Sequence, residues 1–331
     1  MLKSVHSPIN ARVSAMVHER QSTEELAVIA EVQRSIYDDK CVLLAGAGLS
    51  AQACNVCGKK PPLWPQLIEN MATWCLQEGL IERSDTQSLQ EAIAGGHLLE
   101  AGQELEEILG DTSNVKRCLR AVLLCDSIRP SEAHCCISKL PFKAFLTTNY
   151  DCLLETALGI ERQVQVAKFS NGNMTGMLDS LRSGSPFVAK LHGDIDGSEP
   201  VILGNRSYSR LQYDDLYRQH LLAIFAMHSV LFVGFSGHDP HLQDLISTAA
   251  RYDSYCRRHW LLAPQGQFPP LVVRRFAKDK GIRIIEYPID DNHSSLVTFF
   301  RKVYRDTRQG TMTETDSIGI NRTNTLIANN P

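Results

Sequence analysis

The sequence has no surplus of basic charge. Its 34 Lys and Arg face 37 Asp and Glu, for a formal net charge of −3. No bulk positive field therefore draws it to nucleic acid or anionic lipid, and no direct nucleic-acid binding is expected. A long uninterrupted hydrophobic run is also missing. The longest apolar stretch, Leu221 to Phe235, is broken by His228 and Ser229 and is too short to cross a bilayer, and the opening MLKSVHSPINARV holds no secretory apolar core. These absences predict a protein with no membrane contact, in the cytoplasm. The 10 cysteines are scattered; Cys135 and Cys136 are adjacent, and Cys41 and Cys152 lie inside apolar patterns where a thiol acts as a small hydrophobe. A reducing compartment fits them. Cys54-Asn55-Val56-Cys57 is a lone C-x-x-C without a second pair at zinc-ribbon spacing, and reads as a loop. His238 and His241 have the i, i+3 spacing of metal ligands but no third ligand, so no metal site is expected.

What is present is an ordinary globular composition, 43% hydrophobic and 21% charged over 331 residues, enough for one large domain or two small ones. After an N-terminal segment (1–21), Ser22 and Glu25 have capping-box spacing and begin an amphipathic helix running to about Asp39. The stretch CVLLAGAGLSA (41–51) then passes from a continuous apolar run to small residues, the pattern of a doubly buried parallel strand turning into a helix. From about 61 to 140 the pattern is almost wholly helical: Leu63–Glu78, Ser84–Leu109, Val115–Cys125 and Ser131–Ser138. Strands and helices then alternate. Strands are predicted at Ala144–Leu146, Gln163–Lys168, Phe187–Leu191, Val230–Gly234, His259–Leu262 and Ile282–Tyr287. Between and after them come helices at Tyr150–Leu158, Tyr208–Met227, Pro240–Ala250 and Ser294–Val303. The alternation predicts an α/β fold, a Rossmann-like doubly wound parallel sheet, with a helical insertion after the first strand. The domain would span 22–305, with 306–331, rich in Thr and Asn, as a flexible tail.

Four predicted strand ends close in small or polar residues. Gly46-Ala47-Gly48-Leu49-Ser50-Ala51 has the G-x-G-x-x-A form that lets backbone approach a pyrophosphate, although Glu69, about 20 residues on, lies in a helical pattern where a ribose-binding acid would end a strand. A tight turn without ligand explains the glycines equally well. Thr147-Thr148-Asn149-Tyr150-Asp151 follows the second strand; a helix cap at Thr148 or Asn149 accounts for one of its polar groups, not all. His192-Gly193-Asp194 ends a third, at the C-terminal edge where open α/β sheets bind ligands. In GFSGHDP (234–240), Asp239 and Pro240 suit the N-cap and first turn of a helix, leaving Gly234 and Ser236 for close ligand approach.

Together, GAGLS (46–50), TTNYD (147–151), LHGD (191–194) and GFSGHDP (234–240), in this order over roughly residues 35–290, resemble the sirtuin family. The resemblance is to its divergent bacterial branch, since no cysteine lies between Cys152 and Cys256 to form the deacylases' zinc module. It implies an NAD+ hydrolase, with NAD+ as substrate and no zinc, typically an antiphage-defence effector. Such effectors are often homo-oligomers paired with a separate sensor: a HerA-type ATPase, an Argonaute-like protein or a phage-protein receptor. It also implies site roles. Asn149 and His192 would be catalytic, Asp151 near the nicotinamide and ribose, Gly46, Ala47 and Ser50 near the pyrophosphate, and Gly234, Phe235 and Ser236 near the adenosine. Gly48, Thr147, Thr148, Gly193, Asp194 and Asp239 complete the expected binding set.

Cleavage of NAD+ releases nicotinamide as a neutral leaving group, so the enzyme needs no general acid; it must stabilise an oxocarbenium-like ribose and present a nucleophile. A carboxamide can orient that nucleophile, and an imidazole can take its proton near neutral pH. The products would be nicotinamide and ADP-ribose, with cyclisation as a further route. The rival readings are a protein deacylase or ADP-ribosyltransferase, and a non-catalytic sensor of NAD or ADP-ribose.

Overall fold

A computed structural model describes residues 26–237, 239–252, 259–290 and 294–315. The Ser22–Glu25 capping box, the segment 1–21 and the end of the tail (316–331) lie outside the described residues. Seven strands form one parallel sheet in the order β3-β4-β2-β1-β5-β6-β7. They are β1 (Cys41–Ala45), β2 (Ala144–Thr147), β3 (Ala167–Ser170), β4 (Phe187–Lys190), β5 (Ser229–Val233), β6 (His259–Pro264) and β7 (Ile282–Tyr287).

The side-chain period of two divides the apolar run of β1 between two cores. Val42 and Leu44 face one layer, with Met177, Leu221, Phe225, Leu245 and Phe276. Cys41, Leu43 and Ala45 face the other, with Val32, Ile36, Ile137, Leu158 and Phe300. The first layer comprises α9 (Met177–Ser183), α10 (Asn205–Tyr213), α11 (Asp215–Met227), α12 (Pro240–Tyr252) and α13 (Pro270–Lys280). The second comprises α1 (26–37), α7 (Glu132–Ser138), α8 (Leu153–Arg162) and α14 (Ser294–Thr315). Both faces are thereby covered, which is why the central strands read as unbroken hydrophobic runs. No helix among the described residues is long and apolar enough to cross a membrane.

The helical insertion is α3 (Trp64–Gln77), α4 (Arg83–Ala94), α5 (Leu98–Leu109) and α6 (Thr112–Val122), which share a third core. That core also takes in Tyr150, Ile195, Val201 and Leu203 from loops at the sheet's edge. Helix α7, expected within the insertion, packs instead on the sheet with α8 and α14. Two predicted long helices are broken. Gly95-Gly96-His97 separates α4 from α5, with Gly96 at φ +83; Asp214 separates α10 from α11 and caps the latter by accepting from Tyr217 N at 2.9 Å. Helix α14 runs on to Thr315, beyond the expected end at Val303 and into the stretch read as a tail.

Chain order along the sheet reverses at β1, with β2 on one side and β5 on the other, so a crevice opens above the ends of β1 and β5. Here the short helix α2 (Ala47–Ser50) meets the turn after β5. Gly46 N and Gly48 N donate to Val233 O and Gly234 O, each at 2.9 Å. Gly234 has φ +63, and a Cβ on it would lie 2.1 Å from Leu49 N. Replacing Gly234 with Ala combines left-handed strain with a backbone clash. We expect a loss of about 3 kcal/mol or more, measured by denaturant unfolding.

His134 predicts a pH dependence. Its Nδ1 accepts from Ser131 N at 3.2 Å at the start of α7, and burial holds the imidazole down to about 4, slightly offset by the charge of Asp151. The unfolded chain, titrating near 6.5, takes up a proton that the folded chain refuses. Stability is therefore complete above about 6.5 and declines towards pH 4, by a limit of about 3 kcal/mol. His134→Gln keeps a capping-box acceptor and should flatten this slope in urea titrations.

Candidate active site

The crevice is a cleft of about 1380 Å³. Its floor is made by the chain following β1, β2, β4, β5, β6 and β7, and its outer wall by the insertion, chiefly the Pro61–Gln66 stretch, Asn70, Leu98 and Leu99. The predicted residues Gly46, Ala47, Gly48, Ser50, Thr148, Asn149, Asp151, His192, Gly234, Phe235, Ser236 and Asp239 all border it. Four strand ends distant in sequence thus meet in one place.

On one side lies a hydrogen-bond chain from the first two strand ends. Asn149 Nδ2 donates to Gly46 O at 3.0 Å and to Ser50 Oγ at 2.8 Å. Ser50 Oγ donates to Asp151 Oδ2 at 2.7 Å, and Asp151 Oδ1 accepts from Leu153 N at 3.0 Å at the start of α8. An ionised carboxylate only accepts, so the Ser50 hydroxyl proton goes to Asp151 and its oxygen must accept from Asn149. The order fixes the flip of the carboxamide. Both Nδ2 hydrogens are engaged, and Oδ1 is left as an acceptor for a ligand. This chain, with the cap on Leu153 supplied by Asp151, explains why the second strand ends in so many polar groups.

On the other side, His192 Nε2 lies 3.0 Å from Asp239 Oδ2. The carboxylate fixes the tautomer, with Nε2 protonated and Nδ1 available as an acceptor. Tyr208 OH donates to the same oxygen at 3.4 Å, and its ring meets the imidazole edge-on with centroids 5.2 Å apart. Asp239 Oδ1 accepts from Leu242 N at 2.8 Å, the cap expected for α12. Burial would raise the Asp239 titration, but its pairing with His192 and the Leu242 amide outweigh it and hold the carboxyl below its ordinary range.

Three of the predicted binding residues do not border the cleft. Thr147 is buried, its hydroxyl donating to Ala45 O and accepting from Asn149 N, both at 3.0 Å. Gly193 adopts φ +96 where a Cβ would lie 2.9 Å from Val201 Cα. Asp194 turns away to Lys168 at 2.6 Å and Lys190 at 3.4 Å. Their places are explained by support of the loops.

The cleft also contains residues that the motifs do not reveal: Tyr208, Trp64, Asn70, Lys60 and the Gln265-Gly266-Gln267 turn. The turn is detectable, since it too ends a strand in small and polar residues, with Gly266 at φ +76. Tyr208 is not, because it sits inside an ordinary helical pattern. Of the possible metal groups, Cys54 and Cys57 are exposed in a loop where Asn55 Oδ1 accepts from Cys57 N at 3.0 Å and Lys59 N at 2.9 Å. His238 lies outside the described residues. Cys152, Asp194 and Asp196 cluster below the site, with both carboxylates already paired to Lys168, Lys190 and Arg120.

A family model described as a SIR2-like domain matches residues 143–285. An NAD(+) hydrolase ThsA of Enterococcus faecium is 27% identical over 232 residues, covering 68% of this chain and 43% of that protein. The ThsA proteins of Bacillus cereus and Acinetobacter baumannii are each 25% identical, covering 73% and 72% of this chain and 47% and 45% of their own length. The chain thus spans less than half the length of the curated relatives it matches. Residues 143–285 thus match a SIR2-like domain, and the chain is distantly similar to the ThsA NAD(+) hydrolases.

Proposed function

We propose that the protein hydrolyses NAD+ to nicotinamide and ADP-ribose. One observation carries the reading: a carboxamide with both hydrogens tied and a carboxylate-oriented imidazole border the same cleft at the ends of a parallel sheet. In this reading Asn149 Oδ1 accepts from a ribose hydroxyl or the attacking water, and His192 Nδ1 accepts the proton released. Asp239 steadies the imidazolium that results. Gly46, Ala47 and Ser50 line the part of the cleft assigned to the pyrophosphate, and the cleft's position at the chain reversal suits a dinucleotide. Water is the acceptor because the motif set lacks the deacylases' zinc module. The role of antiphage effector, a homo-oligomeric state, a separate sensor protein and a cytoplasmic site of action belong to the same proposal and rest on resemblance.

The decisive experiment incubates purified protein with NAD+ and no peptide, following nicotinamide and ADP-ribose by chromatography. Release is expected; release only with an acyl-lysine peptide, or tight binding without turnover, overturns the reading. Asn149→Ala and His192→Ala should each lower kcat about 10²- to 10⁴-fold.

Asp239→Asn separates the two duties of that residue. Asn is as good a cap for α12, so the fold should persist. Without the anion behind His192, kcat should fall about 10- to 100-fold, with little change in KM.

A further inference from the structure

Lys190, the last residue of β4, is fully buried (side chain 0% exposed) and does not border the cleft. Its neighbours in sequence, Phe187, Val188, Ala189 and Leu191, are apolar, and the sheet at this point asks only for hydrocarbon. Burying a lone ammonium costs several kcal/mol, so the contacts that the charge makes explain its presence. Lys190 Nζ donates to Tyr150 O at 3.0 Å, to Asp151 O, and to Glu155 Oε1 at 3.0 Å, and Asp194 Oδ1 lies 3.4 Å away. Three hydrogens meet three acceptors, and a second anion stands behind them. Burial opposes the charged form, but the neighbouring charges, Glu155 foremost, outweigh it and push the Lys190 titration up.

The partners fall in the two loops that matter. Tyr150 and Asp151 directly follow Asn149, between β2 and α8, outside the strand ladder; Tyr150 O also accepts from Ile195 N at 3.4 Å. Asp194 comes two residues after His192, and Glu155 lies in the first turn of α8. The remaining charge around Asp194 is balanced by Lys168.

We propose that Lys190 is a positioning residue, one buried ammonium that ties the loop carrying Asn149 to the loop carrying His192. The kinetic part rests on the NAD+ hydrolase reading; the ordering of the loops does not. Lys190 touches no reacting group and acts by setting the backbone from which both side chains project.

The test uses Lys190→Met and the double variant Lys190→Met/Glu155→Gln, which removes cation and anion together and leaves no unpaired buried charge. Amide hydrogen exchange is followed by mass spectrometry. In the double variant, exchange should rise about 10-fold or more in segments 148–153 and 192–196, while β1 and β5 keep wild-type protection. With NAD+, kcat should fall about 10- to 100-fold and KM move less than about 3-fold, as expected of misplaced catalytic groups. Wild-type exchange in both loops overturns the proposal, as does wild-type kcat in a variant whose loops have loosened. Loss of protection across the sheet, or failure of both variants to fold, makes Lys190 a structural residue and also overturns it. A wild-type protein that leaves NAD+ intact defeats the functional reading alone, and the exchange data still decide whether Lys190 orders the two loops.

Discussion

The molecule depends on a contact between two stretches of backbone. The turn after β1 and the turn after β5 approach so closely that no side chain fits between Gly48 and Gly234, and amides of the first donate to carbonyls of the second. This contact joins the two halves of the sheet where chain order reverses. It also fixes Gly46 O and Ser50, the acceptors that hold the Asn149 carboxamide. A glycine-rich turn is usually read for the ligand it admits; here it is first a requirement of the fold, and the cleft is what remains above it.

The two polar systems flanking the cleft are built differently. Asn149 is oriented by a chain of neutral donors ending in the carboxylate of Asp151, a group committed also to starting α8. His192 is oriented directly by a carboxylate, Asp239, committed also to starting α12. In each case the anion is shared between a helix end and a side chain of the cleft. Shared anchoring couples the orientation of these groups to the helix ends that the same anions hold.

Much of this is legible in the sequence. The central strands are visible because burial on both faces writes an unbroken apolar run; the edge strand β3, half exposed, lies at Ala167–Ser170 and not at the expected Gln163–Lys168. The cleft is visible because four strand ends close in small or polar residues. The helix breaks at Gly95-Gly96 and Asp214 escape pattern reading since apolar periodicity continues across them. The expected start of α8 falls too early because Asn149 looks like a cap; the cap on Leu153 N is Asp151, and Asn149 is used elsewhere. Thr147, Gly193 and Asp194 show the limit of motif reading. They stand in line with cleft residues, but strand alternation and a left-handed turn direct them into supporting structure, which spacing alone does not distinguish. Lys190 carries no signal, since a lysine at a strand end is most often exposed.

Tyr150 has one more implication. It sits between Asn149 and Asp151, yet its ring belongs to the core of the inserted helices and its hydroxyl donates to Ile202 O at 2.5 Å. The helical block is consequently no detachable ornament on a nucleotide-binding scaffold. Its hydrocarbon interior begins one peptide bond from Asn149, so a substitution that repacks that interior also shifts backbone bordering the cleft.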